Sequence, residues 1–145
     1  MRNRRFHRSF IILNPHDSGY SLYEGKEPAG YVKLEIRNNL GKMLLYIQDM
    51  KPAVSREAIY DVVLISSKQE IEPVKLTSIQ LPDSGRGEYE ITFDPENVAE
   101  SKYKIGDYHA LAVVERQLNN RGVFRYPLVG YSDKKVKMDW SNQVS

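Results

Sequence analysis

Gly30-Tyr31-Val32-Lys33-Leu34-Glu35-Ile36-Arg37 decides the class of this fold. In an extended chain Val32, Leu34 and Ile36 point to one side, and Tyr31, Lys33, Glu35 and Arg37 to the other. A period of two is what a strand with one buried and one wet face requires. The rhythm returns in Glu88-Tyr89-Glu90-Ile91-Thr92-Phe93-Asp94, with Tyr89, Ile91 and Phe93 in phase. Five such runs lie between residues 30 and 115, each closed by turn formers, so the chain is predicted to be all-β.

Outward from this stretch, Asn38-Asn39-Leu40-Gly41 suits a tight hairpin, because Asn and Gly tolerate positive φ, and it pairs residues 30–37 with 42–49. Residues 58–66 are apolar on both faces except for Asp61, the pattern of a central strand covered on both sides. Residues 73–81 change phase between Leu76 and Ile79, which a one-residue bulge near Ser78 repairs. Residues 6–13 make a first strand, ending at the turn formers Asn14-Pro15-His16-Asp17-Ser18-Gly19. Residues 20–23 add a short extended piece, and residues 107–116 a further strand.

Asp94 as N-cap, Pro95 in the first helical position and Glu96 in the first turn predict a short helix over 95–102. Residues 123–131 form the last strand, and Pro127, which cannot donate to a ladder, predicts that it is an edge. The architecture expected is an antiparallel, Ig-like β-sandwich of seven or eight strands with one short helix. A partly open barrel is the competing arrangement. One domain spans residues 1–132, and the tail 133–145, with Trp140, folds over the edge strand. Val32, Leu34, Ile36, Leu45, Ile47, Val63, Ile65, Ile91, Phe93, Ala112 and Val114 are the predicted core.

With 145 residues, 41% apolar and 28% charged, the chain is long enough for a core of its own. A net charge of +2 is too small to argue for a polyanionic partner. The absence of cysteine removes disulfides, thiolate metal sites and cysteine nucleophiles together. Phe10-Ile11-Ile12-Leu13 is too short for a signal-peptide core of about 7–15 residues or a membrane span of about 20. Localisation stays open, with the cytoplasm as default unless the chain is part of a longer exported protein.

His7, His16 and His109 are the only imidazoles, and they fall on the basic arm, a loop and a strand. With no His-x-His, His-Glu-x-x-His or cysteine pair, no metal and no cofactor is expected. Ser84-Gly85-Arg86-Gly87 lacks the Lys-Ser/Thr and following helix of a phosphate cradle, and Gly-x-Ser-x-Gly does not occur. No catalytic residue is predicted. Loops on rigid sheets often carry binding, which points to Asp83 and Arg86 at a turn. Phe124, Tyr126 and Tyr131 on the last strand, with Trp140, complete the candidate interaction surface, since aromatic side chains favour interfaces.

The order of features from Ala29 to Glu115 resembles the extracytoplasmic domain of anti-sigma-K-type factors and related bacterial domains. The matching pieces are the Gly-led strand at Gly30, the turn Gln48-Asp49-Met50-Lys51-Pro52 and the strand Tyr60-Asp61-Val62-Val63-Leu64-Ile65. Gly85-Arg86-Gly87-Glu88-Tyr89 and Ala112-Val113-Val114-Glu115 complete the series. The chain departs from that family in having Val63 where a Trp is usual, and in lacking its membrane span and sigma-binding helices. The resemblance implies a β-sandwich that recognises or senses.

The expected function is therefore a non-enzymatic module for protein interaction, with self or another protein, for sensing or for structural assembly. Single-stranded nucleic-acid binding through an OB-like barrel is an alternative, using the basic ends Arg2, Arg4, Arg5, Arg8 and Lys134, Lys135, Lys137. Glutamates interleaved through the strands argue against it. Carbohydrate binding through exposed tyrosines or Trp140 is a third reading.

Overall fold

The computed structural model describes residues 6–53, 58–117 and 124–132. They form eight strands: β1 (Phe6–Pro15), β2 (Ala29–Arg37), β3 (Leu40–Gln48), β4 (Ala58–Ile65), β5 (Val74–Ile79), β6 (Gly87–Phe93), β7 (Ala110–Gln117) and β8 (Phe124–Tyr131). Every pairing is antiparallel, and one hydrogen-bonded order runs β5-β4-β7-β8-β1-β2-β3-β6. The class is all-β, as the period of two requires.

The two layers are joined rather than separate. β1 pairs with β2 from Phe6 to Leu13 and then, through Asn14 and Pro15, with β8. It thereby joins the layer β1-β2-β3-β6 to the layer β5-β4-β7-β8 in a single sheet that curls almost closed. At the remaining gap β5 and β6 touch, and the Tyr89 hydroxyl donates to the Gln80 carbonyl at 2.6 Å. The joint at β1 depends on Gly130, where a Cβ would stand 2.5 Å from the Ile12 carbonyl oxygen and 2.6 Å from the Ile11 side chain.

The core lies between the layers: Val32, Leu34, Met43, Leu45 and Ile47 from one, and Val62, Leu64, Leu111, Val113 and Leu128 from the other. Of the predicted core only Ile36 is less than fully buried. β4 and β7 are covered on both faces, as the sequence of β4 predicts, because Val63, Ile65, Ala110, Ala112 and Val114 form a second buried cluster with Tyr126 and Val129. Asp61, the one charge in β4, is buried and clamps three strands. It accepts from Ser78 Oγ and from Arg116 Nε, both at 2.7 Å.

Three local expectations are corrected. The hairpin turn is Asn38-Asn39 alone, with Asn38 at φ 52, and Gly41 already belongs to β3, where the Phe93 ring fills the place of a side chain. No helix forms over 95–102. The Asp94 carboxylate does cap Glu96 N at 2.9 Å, but Ala99, Glu100 and Lys102 take positive φ, and the Asn97 side chain accepts from Lys102 N at 2.7 Å. Only 3-10 turns remain, at Val98–Glu100 and Ile105–Asp107.

β8 is not an edge; it lies between β7 and β1. Pro127 is tolerated because the register slips there: Leu128 faces Val113 and Arg125 faces Glu115, which leaves Tyr126 and Pro127 opposite Val114 alone. The predicted cover by the tail 133–145 falls outside the described residues. The phase slip in β5 is likewise a bulge, at Leu76, two residues before the expected position.

Two substitutions test this packing in urea titrations. Gly130→Ala should cost about 1–3 kcal/mol, because all three atoms in the way of its Cβ, from Ile11, Ile12 and Leu13, belong to β1. Gly106→Ala, with open space around it, should stay within about 0.5 kcal/mol of wild type. Among the described residues the buried Tyr108 hydroxyl has no hydrogen-bond partner. Tyr108→Phe should therefore leave stability unchanged or raise it by up to about 1–3 kcal/mol, and a clear fall would show that the hydroxyl is paired.

Candidate functional site

The first site is a cleft at the end of the sheet where β4 begins and β7 ends. After β1, Asp17 ties the chain to β8: its amide donates to the Tyr126 carbonyl at 2.9 Å, and its Oδ2 accepts from Tyr126 N at 2.7 Å. Gly19, at φ 98, then turns the chain inward. The turn places Tyr20 over the end of β7, where the Lys51 amide donates to the Tyr20 carbonyl at 2.9 Å.

Tyr20 donates its hydroxyl to Glu115 Oε1 at 2.8 Å, and Gln117 Nε2 approaches the same oxygen at 3.2 Å. Glu115 is only 9% exposed. It has no ion pair within 4.0 Å among the described residues, although Arg125 faces it across the β7–β8 ladder. Tyr60 closes the side of the cleft and donates to the Lys51 carbonyl at 2.7 Å. The cleft is open to solvent and its volume is about 230 Å³. Burial pushes the Tyr20 and Tyr60 hydroxyls well above the ordinary tyrosine range, with the hydrogen bond to Glu115 adding to Tyr20 and the Glu115 charge to Tyr60. Both are neutral donors at any physiological pH.

The second site is the outer face of β1, β2 and β3. Phe10 and Ile12 are 60% and 61% exposed there. The ladders set Ile12, Tyr31, Tyr46 and Glu88 in one row and Phe10, Lys33, Leu44 and Glu90 in the next. The Tyr31 and Tyr46 rings pack on each other, with centroids 5.4 Å apart and a 32° tilt. Next in line, Glu35 receives Arg8 at 2.8 Å and Lys42 at 4.0 Å, and the Arg8 hydrogen bond holds its carboxyl below the usual range.

The predicted surface residues are scattered. Asp83 and Arg86 are exposed on the turn before β6, and Asp83 borders a wider cleft of about 1040 Å³ floored by Ile79 and Leu81. Tyr126 is buried in the second cluster, with Phe124 and Tyr131 packed against it. Trp140 lies outside the described residues. The histidines do not converge. His16 lies 3.5 Å from Asp17, and His109 Nδ1 lies 3.0 Å from Ser67 N and 3.1 Å from Ser67 Oγ at an exposed strand end. Among the described residues no three His, Asp or Glu side chains group as metal ligands, and no helix is long and apolar enough to cross a membrane.

Sequence reasoning missed Glu115 and Tyr20. The available signal was Glu115 itself, a carboxylate in phase with Leu111 and Val113 on a strand otherwise apolar.

Residues 6–140 match the family described as Domain of unknown function (DUF7922). The chain belongs to that family. No curated protein and no solved structure matches it.

The Tyr20–Glu115 contact has a measurable signature. Tyr20→Phe removes a donor from a buried carboxylate and should cost about 1–3 kcal/mol in urea at pH 7. Tyr20 and Tyr60 stay neutral in the folded chain while the unfolded chain ionises them near pH ~10. Their contribution is therefore complete below that pH and declines as pH rises above it. The alkaline decline should be shallower in Tyr20→Phe than in wild type.

Proposed function

We propose that the chain is a non-enzymatic β-sheet module for protein interaction, serving sensing or structural assembly, and that the outer face of β1, β2 and β3 makes the contact. The observation that carries this reading is the exposure of Phe10 and Ile12 beside Tyr31, which sets three large apolar side chains side by side on that face. Lys33, Lys42, Arg8, Glu35 and Glu88 surround the strip, the polar rim that protein interfaces carry around an apolar centre. β8 pairs only with Asn14 and Pro15 of β1, so the first half of β1 presents a second edge to which a strand can add.

The finer Ig-like sandwich reading has support in the connectivity. The chain crosses between the layers from β3 to β4, from β5 to β6 and from β6 to β7, with hairpins β4–β5 and β7–β8 inside one layer, a Greek-key path. The resemblance of residues 29–115 to the anti-sigma-K-type extracytoplasmic domain favours the same kind of module, one that recognises rather than converts. Carbohydrate stacking is disfavoured because Tyr31 and Tyr46 cover each other's faces, and nucleic acid because Glu35, Glu88 and Glu90 share the face with the cations.

A photo-crosslinking residue at position 10 or 12, expressed in the native cell, tests the reading. A discrete protein adduct is expected from those positions and not from position 86, and Ile12→Glu should reduce the adduct from position 10 about tenfold. Adducts equally abundant from position 86, or no adduct from either strand position, would overturn it.

A further inference from the structure

The cleft at Glu115 is separate from the outer sheet face, and its chemistry is incomplete as it stands. Glu115 is a carboxylate taken almost wholly out of water at the end of the core. A buried charge is tolerated when it is paired and its lone pairs are filled. Here only Oε1 is engaged, by Tyr20 and Gln117; Oε2 has no partner among the described residues. Lys51 and Arg125 line the same cleft, and neither forms an ion pair among the described residues. One anion and two cations therefore stand around about 230 Å³ with no ion pair within 4.0 Å between them among the described residues.

A simple cation would meet Glu115 but also face Lys51 and Arg125. A simple anion would meet the cations but face Glu115. Both demands are met by a molecule with an ammonium and a carboxylate on one small skeleton. Charge-assisted hydrogen bonds to both ends are stronger than neutral ones, and a guanidinium suits a carboxylate. The volume is below the range of sites for drug-sized ligands, which limits the side chain to a few atoms.

We propose that this cleft binds a small free α-amino acid, with its ammonium on Glu115 Oε2 and its carboxylate between Lys51 and Arg125. Tyr20, Tyr60 and the Gly19 turn line the rest of the cleft. A peptide terminus carries only one of the two charges at its end, so it is not the ligand.

Amide-resolved NMR titration of the full chain tests this directly. Glycine, alanine and serine are compared with alaninamide, which keeps only the ammonium, and N-acetylalanine, which keeps only the carboxylate. Saturable shifts at Gly19, Tyr20, Glu115 and Arg125 are expected for at least one of the three amino acids below ~50 mM, and binding about tenfold weaker for both derivatives. Glu115→Gln, which is isosteric, and Arg125→Gln, which shortens the side chain and removes the guanidinium, should each weaken binding about tenfold with the rest of the spectrum unchanged. Arg86→Gln, on a distant turn, should not. The proposal is overturned if none of the three amino acids saturates, if alaninamide or N-acetylalanine binds as well as alanine, or if Glu115→Gln binds like wild type. If Glu115→Gln perturbs the whole spectrum, the comparison of alanine with its two derivatives on the wild-type chain decides alone. None of these outcomes bears on the outer face, whose own test is crosslinking.

Discussion

β1 hydrogen-bonds to two neighbours that belong to different layers, and the rest of the molecule follows from that. Its first eight residues lie along β2, and its last two along β8. A strand can make this passage only where the neighbouring backbone has no side chain in the way, which is why Gly130 sits against the Ile12 carbonyl. Because β1 leaves β8 after two pairs, its earlier residues keep one edge and one face uncovered by any described strand. The same divergence delivers the chain to the end of β7, where Asp17 locks onto Tyr126 and Tyr20 reaches Glu115. Both candidate sites are thus consequences of one strand serving two layers.

The two buried carboxylates show how differently the fold treats charge. Asp61 has a donor on each oxygen, Ser78 on one and Arg116 on the other, and so ties β5, β4 and β7 together at the level of the β5 bulge. Glu115 has both its donors on one oxygen and keeps the other toward a cleft. Fully satisfied polar networks in low-dielectric surroundings rigidify a structure, whereas half-satisfied ones cost stability. Glu115 Oε2 is not cut off from solvent, so the oxygen without a protein donor opens to the cleft.

Much of the fold was legible in the residues. The strand at Gly30–Arg37 shows its burial in its own alternation, and β4 shows its two-sided cover by being apolar on both faces except for Asp61. The bulge in β5 left a phase slip that could be read within two residues of its place. The helix at 95–102 failed although its start signal was genuine: Asp94 caps as expected, but the Asn97 side chain and left-handed Ala99, Glu100 and Lys102 turn the chain away. Local capping chemistry states where a helix can begin, and cannot state that a competing loop pairs better. Pro127 misled for a similar reason, since a proline excludes ladder donation at one position without saying whether an edge or a bulge accommodates it.

The sequence by itself determined the class, the strands, most of the core and the lack of any metal-binding or nucleophile motif. These are properties of local period and residue type, which neighbouring positions along the chain fully record. Only the tertiary structure decided that the layers join through β1, that β8 is internal, and that Tyr20, Glu115, Lys51 and Arg125 share one cleft. Those residues come from four segments, and 95 positions separate Tyr20 from the Glu115 it bonds. Nothing in their local surroundings encodes that proximity; it comes from the strand order, which long-range packing selects.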